Sequence, residues 1–252
     1  MATLTFLGSA AAIPTVGHDN TFIAVEGEES TLLVDCAGSP VLKLQLAGID
    51  PTRLSHLIVT HRHPDHLYGY PSLLLGLWLL GCPEPLCVVG EPDAVSGARD
   101  LLNVFHPTES WPGFMPPVYR PVECDAETVL LDLPDLLITA APTRHMVPSI
   151  ALRLVNKATG NAVVYSSDTG PCDSLLRLAR GAQVLIHEAS GEMEGHSSAA
   201  QAGRAASQSA VDRLLLIHYP AHQANLNALL TDARREFGGP TELARDLGAL
   251  EF

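Results

Sequence analysis

The chain has 252 residues, 46% of them hydrophobic, and a formal net charge of −13 at pH 7. A chain of this length and apolar content can bury a sizeable core, and because no Gly/Ser-rich linker or charged block divides it, we predict a single domain over residues 1–252. The acidic balance argues against a protein that neutralises many phosphates of a nucleic acid, and the longest apolar run, residues 73–80, is too short to span a membrane.

The basic residues and the cysteines bear on the compartment. The first Lys or Arg of the chain is Lys43, so the basic region of a signal peptide is missing and we expect a cytoplasmic protein. None of the five cysteines forms a Cys-x-x-Cys pair, which favours reduced, mostly buried thiols over disulfides or a structural zinc site.

Strands and helices are predicted to alternate in the first half of the chain. We expect strands at residues 3–7, 22–25, 31–34, 57–59 and 86–89, and helices at residues 40–47, 67–80 and 92–105. Residues 106–121 contain five prolines and three aromatic residues, which excludes a regular element. We interpret this segment as a lid over the site, an interface or an ordinary surface loop; as a lid, it would bring Trp111 or Phe114 onto a ring of the substrate.

The second half continues the alternation. Strands are expected at residues 129–133, 136–141, 150–155, 162–165, 184–186 and 214–217, and helices at residues 173–181 and from a serine cap at 197 or 198 to 210. The tail is predicted to contain one helix with Arg234 and Arg235, and a second amphipathic segment after Pro240.

The densest group of candidate ligands is the run Thr-His-Arg-His-Pro-Asp-His at residues 60–66, directly after the apolar strand 57–59. His61 and His63 are two residues apart in a segment that cannot remain helical past Pro64, so both imidazoles can face one metal ion. Asp65 and His66 then point elsewhere, which suits a second ion. His145, Asp168 and His218 also stand at the ends of predicted strands, where α/β folds place their chemistry, although a lone histidine at a strand end is more often structural than a ligand.

The pattern His-x-His-x-Asp-His after an apolar strand resembles the signature of the metallo-β-lactamase superfamily. The other motifs of that superfamily follow in order, with Asp35 at the first, His145 at the third, Asp168 at the fourth and His218 at the fifth. His63 stands where the two-iron members carry Glu, which resembles the zinc hydrolases. The resemblance implies an α/β fold, a four-layer αββα sandwich of two mixed β-sheets flanked by helices, with the metal site at one edge.

The resemblance also implies two Zn²⁺ ions, with Mn²⁺ as an alternative, and a role for each ligand. One ion would be bound by His61, His63 and His145, the other by Asp65, His66 and His218, and both by Asp168. A water between the ions would be acidified from a pKa of ~15.7 toward ~7 and would attack the substrate as hydroxide, with Asp65 as its base. Asp35 would support the metal loop through hydrogen bonds; alternatively it only ends its strand or caps the next helix.

Within the superfamily the chain is most similar to ribonuclease Z. The similar blocks are residues 7–10 (LGSA), 13–15 (IPT), 34–36 (VDC), 186–189 (IHEA) and 195–197 (GHS). In that family a Glu and a His of the last two blocks protonate the leaving group, which implies this catalytic role for Glu188 and His196. The alternative is that these two residues only fix the loop beside the site.

One departure from ribonuclease Z concerns the substrate. Only 22 residues separate His145 from Asp168, so the arm that grips transfer RNA in that family is missing. We therefore expect a hydrolase of a small phosphodiester, without transfer RNA or membrane partners, for which a homodimer is one expected assembly. The alternatives are an ester, sulfate-ester or lactone hydrolase, or a metal-bound scaffold without turnover, although a scaffold would be expected to lose ligands and all seven positions are filled.

Overall fold

A computed structural model describes residues 1–223 and 225–252, and their strands form two mixed sheets of seven strands each. Strands and helices are numbered along the chain. The first sheet contains β1 (Thr3–Gly8), β2 (Phe22–Glu26), β3 (Thr31–Val34), β4 (Leu54–Val59), β5 (Cys87–Gly90), β6 (Val118–Pro121) and β14 (Ala249–Glu251). Its spatial order is β14-β1-β2-β3-β4-β5-β6, and the strands from β3 to β6 run parallel to one another.

The second sheet has the same size and a similar plan. It contains β7 (Thr128–Asp132), β8 (Leu136–Pro142), β9 (Ile150–Asn156), β10 (Ala162–Tyr165), β11 (Val184–Glu188), β12 (Arg213–Ile217) and β13 (Thr241–Leu243). The spatial order is β13-β12-β11-β10-β9-β8-β7, with β10 to β13 parallel and β7 to β10 antiparallel.

Helices cover the outer faces of both sheets. They are α1 (Pro40–Leu46), α2 (Pro64–Leu67), α3 (Tyr70–Leu79), α4 (Pro92–Asn103), α5 (Pro107–Ser110), α6 (Asp173–Ala179), α7 (Ala199–Ser209) and α8 (Leu226–Glu236), and residues 51–53 form a turn of 3₁₀-helix. Within the described ranges, none of these helices has the length and apolarity needed to cross a bilayer.

The core forms three apolar layers. One lies between the sheets, one between the first sheet and α1, α3 and α4, and one between the second sheet and α6, α7 and α8. In β3, for example, Leu32 and Val34 face the other sheet while Leu33 faces the helices. Strands buried on both faces contain continuous apolar runs, which is why the sequence shows so little polar alternation. The two mixed sheets flanked by helices confirm the predicted sandwich.

The prediction of one helix over residues 67–80 is wrong in one respect, because this segment includes the end of α2 and all of α3. The two helices are separated at Tyr68 and Gly69, where the backbone N–H of Gly69 donates to the carbonyl of Cys36 at 2.9 Å. A Cβ atom at position 69 would lie only 2.8 Å from the carbonyl oxygen of Ala37, so glycine allows the two backbones to approach. Helix α3 then begins at Tyr70, with Pro71 in its first turn.

The amphipathic segment expected after Pro240 is two short strands. Thr241 to Leu243 pair in parallel with β12, and Ala249 to Glu251 pair antiparallel with β1. Three-residue strands are too short for their spacing to separate a strand from a helix, and their partners lie far away in sequence.

Candidate metal centre

The candidate ligands lie at one edge of the sandwich, where strands of both sheets end. The loop after β4 contains the histidine-rich run, and β8, β10 and β12 lead into His145, Asp168 and His218. Two antiparallel steps, from β8 to β9 and from β9 to β10, make β8 run in the same direction as β10, β11 and β12. The carboxyl ends of these strands therefore meet at a common edge.

The structure brings the seven predicted ligands together in two sets. Within each set, one potential ligand atom per residue lies within 4.8 Å of all the others. The first set is His61, His63, His145 and Asp168, and the second is Asp65, His66 and His218.

Pairs of ring nitrogens face each other in both sets. His145 Nε2 lies 3.0 Å from His63 Nδ1, and His66 Nε2 lies 3.2 Å from His218 Nε2. Nitrogen lone pairs that converge on one point form a position that a cation can occupy.

Asp168 belongs to the first set and also lies close to the second, and it forms a third group with His196 and His218 that meets the same 4.8 Å limit. Its Oδ2 atom is 3.7 Å from His61 Nε2 and 3.6 Å from His66 Nε2, and its Oδ1 atom is 3.4 Å from His218 Nδ1. Burial alone would raise the pKa of the Asp168 carboxyl, but the charges of His218 and His66 lower that pKa well below its usual range. The carboxylate is therefore ionised and can contact both sets.

Two buried atoms of the site have no hydrogen-bond partner among residues 1–223 and 225–252. They are His61 Nε2 and Asp168 Oδ1. Burial, followed by the charge of His66, lowers the pKa of the His61 imidazole well below its usual value, so this ring is neutral and keeps a lone pair. A buried nitrogen lone pair and a buried carboxylate oxygen that both lack a hydrogen bond fit a metal ion as their missing partner.

His66 behaves differently from His61. Burial lowers the pKa of its imidazole, but the charges of Asp168 and Asp35 outweigh this and raise the pKa well above the usual value. The same carboxylates that favour a proton on His66 favour a divalent cation, and a metal ion would displace that proton.

Asp35 holds the histidine-rich loop of residues 60–66 in place. Its side chain is buried, its Oδ1 atom accepts from the backbone N–H of Thr60 at 2.9 Å, and its Oδ2 atom accepts from His66 Nδ1 at 2.9 Å. The bond at Nδ1 leaves Nε2 of His66 directed at the second set. The capping alternative is wrong, because the N-cap of α1 is Ser39.

Three further groups orient the imidazoles, and sequence reasoning missed them. The carbonyl of Gly195 accepts from His145 Nδ1 at 2.7 Å, and the Ser190 hydroxyl lies 2.9 Å from His218 Nδ1. The Thr60 hydroxyl lies 3.0 Å from His61 Nδ1. Only Thr60 had a sequence signal, its position between the apolar strand and the first histidine.

Glu188 and His196 form a pair beside the ligands. Glu188 Oε1 accepts from His196 Nδ1 at 3.0 Å, and the same carboxylate accepts from the backbone N–H groups of Thr169 at 3.2 Å, Ser190 at 2.8 Å and Ser197 at 3.0 Å. Burial lowers the pKa of His196, but the hydrogen bond and charge of Glu188 outweigh it and raise that pKa. Glu188 thus fixes the loop beside the site, which is what the structural alternative expected. It also orients the imidazole of His196 and favours its protonated form.

The segment 106–121 is not a lid over this centre, so that interpretation is wrong. It leads into β6, which runs parallel to β5 and β4, so it lies at the amino ends of these strands, opposite the ligands. Trp111 stacks on Trp78 of α3 with ring centroids 5.6 Å apart, and Phe114 packs edge-on against Trp111. The segment also contains α5 and the edge strand β6, although no regular element was expected there.

The chain between His145 and Asp168 contains a short hairpin. Its strands β9 and β10 pair in antiparallel register and are joined by residues 157–161. The predicted hairpin is therefore present, and it takes up this part of the chain without an inserted arm.

Comparisons with known proteins agree with this architecture. A family model described as the beta-lactamase superfamily domain matches residues 31–219. Ribonuclease Z of Methanothermobacter thermautotrophicus is 26% identical over 311 aligned positions, which cover 100% of this chain and 97% of that protein. Because the alignment is longer than the 252 residues of this chain, the relative contains insertions that the chain lacks.

Two solved structures share the fold. The metallo-beta-lactamase fold protein YhfI from Bacillus subtilis has a TM-score of 0.83 at 23% identity, covering 100% of this chain and 99% of that one. Human short-form tRNase Z has a TM-score of 0.77 at 22% identity, covering 99% and 98%. These matches confirm the resemblance to the metallo-β-lactamase fold and to ribonuclease Z, and they support a metal-dependent hydrolase. The family model covers most of the chain, which therefore belongs to the beta-lactamase superfamily.

Proposed function

We propose that this protein is a dinuclear zinc-dependent phosphodiesterase that acts on a small phosphodiester. The observation that carries the proposal is the Asp168 carboxylate, which lies close to imidazole nitrogens of both sets and has one oxygen without a hydrogen bond from the described residues. The sequence relatives named ribonuclease Z support a phosphodiester as the bond that is cleaved.

The proposed ligands are the seven side chains of the two sets. His61, His63 and His145 would hold one ion, Asp65, His66 and His218 the other, and Asp168 both. Imidazole nitrogens suit Zn²⁺ better than the oxygen-preferring Mn²⁺, so zinc is the proposed metal and manganese the alternative. When bound, the pair of ions would polarise the phosphoryl group and lower the pKa of a water toward ~7.

Asp65 is the proposed base. Its Oδ2 atom lies 3.4 Å from His218 Nε2 and 3.6 Å from His66 Nε2, and its side chain is 15% exposed. Burial raises the pKa of this carboxyl, but the hydrogen bond and charge of His218, with the charge of His66, lower it to far below its usual value. Asp65 therefore stays ionised at neutral pH, and it can orient the attacking water and accept its proton.

His196 is the proposed acid. Because its Nδ1–H donates to Glu188, a proton on Nε2 is free to move to the leaving oxygen. Its ring lies 4.9 Å from that of His145, next to the first ligand set, and its side chain is 11% exposed. Glu188 would act through His196 by holding the ring and favouring its protonated form.

Two features favour a small substrate over a long nucleic acid. Only the short hairpin of β9 and β10 joins His145 to Asp168, with no inserted arm to grip transfer RNA, and the chain has 15 basic residues against 28 acidic ones. A compact phosphodiester needs only the metal centre to neutralise its single charge. An ester, sulfate-ester or lactone hydrolase with the same centre, and a scaffold without turnover, remain the competing functions.

A substrate panel tests the proposal. The zinc-loaded and the manganese-loaded protein are assayed with bis(p-nitrophenyl) phosphate, p-nitrophenyl phosphate, sulfate and acetate, and a lactone, before and after chelation. We expect the highest kcat/KM for the diester and loss of activity on chelation.

A pair of variants completes the experiment. Asp65→Ala should lower the rate by about 10²- to 10⁴-fold, as expected for a positioned acid–base group, whereas Asp100→Ala on the exposed face of α4 should not. Faster turnover of the acetate, sulfate or lactone than of the diester would refute the phosphodiesterase, and no turnover of any substrate would favour the scaffold.

A further inference from the structure

Tyr68 stands beside a proposed ligand on the same face of a helical turn. Helix α2 spans Pro64–Leu67, and Tyr68 continues it with helical dihedral angles and a backbone N–H that donates to the carbonyl of Pro64 at 2.8 Å. Residues three apart in a helix are neighbours on its surface, so the side chains of Asp65 and Tyr68 are adjacent. Because Asp65 faces the metal centre, Tyr68 borders the mouth of that centre.

The ring of Tyr68 is exposed but anchored. Its side chain is 46% exposed, and its hydroxyl donates to Asn20 Oδ1 at 3.2 Å. Asn20 is buried and donates in turn to the carbonyl of Ala11 at 2.7 Å. A tyrosine needed only for packing would be buried, as Tyr70 is in the next helix. Tyr68 instead presents a pre-oriented aromatic face to solvent.

The loop that anchors this ring is tied to the ligands and is apolar at its tip. The carbonyl of Ser9 accepts from the backbone N–H of His218 at 2.8 Å, and the backbone N–H of Ala11 donates to Tyr219 at 3.0 Å. Ile13, in the same loop, is 53% exposed. Residues 7–20 and 67–70 contain no Lys or Arg, and the Lys43 ammonium that approaches this loop is paired with Asp19 at 3.6 Å and Asp246 at 2.7 Å.

Exposed apolar side chains also adjoin His145 and His196. Met146 follows His145, and Met193 accepts through its carbonyl from the backbone N–H of His196. Both methionines are 59% exposed. Exposed apolar side chains grouped around a polar centre are typical of a binding site for an uncharged organic group.

We infer that Tyr68 is a specificity residue that packs against an aromatic ring on the ester group that the product retains. The leaving group has to face His196, whose ring lies beside both His145 and His218. Tyr68 instead adjoins Asp65, the proposed base of the attacking water, and water attacks in line, opposite the leaving group. The preferred substrates are then phosphodiesters whose retained ester carries an aromatic ring, rather than alkyl phosphodiesters. This inference rests on the proposed function for its reaction, and its binding part can be tested separately.

The kinetic test compares two substrates with the same leaving group. Phenyl p-nitrophenyl phosphate and methyl p-nitrophenyl phosphate differ only in the retained ester. We expect wild-type protein to prefer the phenyl compound, and Tyr68→Ala to reduce the ratio of the two kcat/KM values by about 2- to 10-fold, the range of one aromatic pair.

Two variants serve as controls for that ratio. Tyr68→Phe keeps the ring and should retain most of the preference. Phe105→Ala removes another exposed aromatic ring, beyond the end of α4, and should leave the ratio unchanged. A ratio that is the same in wild type and Tyr68→Ala would overturn the inference, provided the diesters are hydrolysed.

The binding test does not depend on turnover. Calorimetry with zinc-loaded protein compares phenylphosphonate with methylphosphonate, neither of which has an ester bond to cleave. Tighter binding of the phenyl compound to wild type, lost in Tyr68→Ala and kept in Tyr68→Phe, supports the inference even if no phosphodiester is hydrolysed. Equal affinities for the two phosphonates in wild type would refute it, whatever the substrate panel shows.

Discussion

At the scale of single residues, one hydrogen bond determines which nitrogen of His196 would face a substrate. Because Nδ1 is bonded to Glu188, the proposed proton donor is Nε2. A leaving group that is a good anion needs no proton, whereas an alkoxide does, and this difference separates an acid catalyst from a structural histidine.

The His196→Ala variant is expected to affect substrates unequally. Its rate on an alkyl leaving group should fall by about 10²- to 10⁴-fold, and its rate on p-nitrophenyl diesters much less. Steady-state kinetics on both kinds of diester provide the measurement, with exposed His222→Ala as the matched control. Equal losses on both kinds of substrate would remove His196 from the leaving-group role.

The Glu188→Gln variant is expected to change the pH profile. Burial lowers the pKa of His196 and Glu188 raises it above the usual value, so in wild type His196 stays protonated to a higher pH. Activity that requires this proton falls as the pH rises through the raised pKa. Loss of the negative charge should therefore shift the alkaline limb of kcat/KM to lower pH, and an unmoved limb would argue against the pair.

The candidate ligands could be predicted from sequence because they are clustered or stand at strand ends. The groups that hydrogen-bond to their imidazoles could not be predicted in this way. Four candidate ligands lie within the six residues 61–66, and the others stand at strand ends. Both their density and their position therefore indicate a site. The bonds of Gly195 to His145 and of Ser190 to His218 join residues 50 and 28 positions apart. Common residue types in distant loops carry no pattern of their own.

At the scale of elements, a carboxylate links turns of the two sheets. Asp135, between β7 and β8, accepts from the backbone N–H groups of Glu29 at 2.8 Å and Ser30 at 3.1 Å, and from the Ser30 hydroxyl at 2.6 Å. Both donors lie in the turn between β2 and β3. Burial raises the pKa of Asp135, but these hydrogen bonds outweigh it and lower the pKa, so the ionised form stabilises the fold.

The Asp135→Ala variant is expected to lower the free energy of unfolding by about 1–2 kcal/mol at neutral pH, a modest value because the carboxylate is half-exposed. Since the folded-state pKa is lowered, this contribution is present above the usual pKa of an aspartate and is lost as the pH falls through the lowered one. Urea denaturation at several pH values measures it, with exposed Asp125→Ala as the control. A difference that stays constant into acid would contradict the assignment.

The elements that were predicted poorly are short or depend on distant partners. The strand β6 was hidden by prolines, which an edge strand tolerates because one side of its backbone is unpaired. The break at Gly69 depends on the backbone of Ala37, which no local pattern reveals. Long apolar strands and capped helices were predicted to within a few residues because their signals are local.

At the scale of the whole molecule, charge argues for a compact substrate. A protein that binds transfer RNA neutralises several phosphates, and its affinity then falls steeply with salt. This chain has a net charge of −13, and between His145 and Asp168 it has only the short hairpin of β9 and β10.

We therefore expect no accurate cleavage at the 3′ end of precursor transfer RNA at physiological salt. Turnover of a nitrophenyl diester should change little between low and high salt, because only one charge is neutralised. Gel analysis of precursor processing and diester kinetics over a salt series provide the measurements. Accurate processing of the precursor would show that a nucleic acid is the substrate.

The fold at this scale was predictable because the ligand motifs occur in order along the chain, each after a strand. The pairing of the last strand was not predictable, because β14 pairs with β1, which lies at the other end of the sequence.

Metal stoichiometry tests the central claim most directly. Elemental analysis of zinc-loaded protein, after removal of loosely bound ions, should give close to two ions per chain. Asp168→Ala should disturb both sites, because Asp168 lies close to imidazole nitrogens of both sets. A value near two that falls in this variant supports the dinuclear centre; no more than a trace of metal in the wild type, or full diesterase activity after complete chelation, would contradict it.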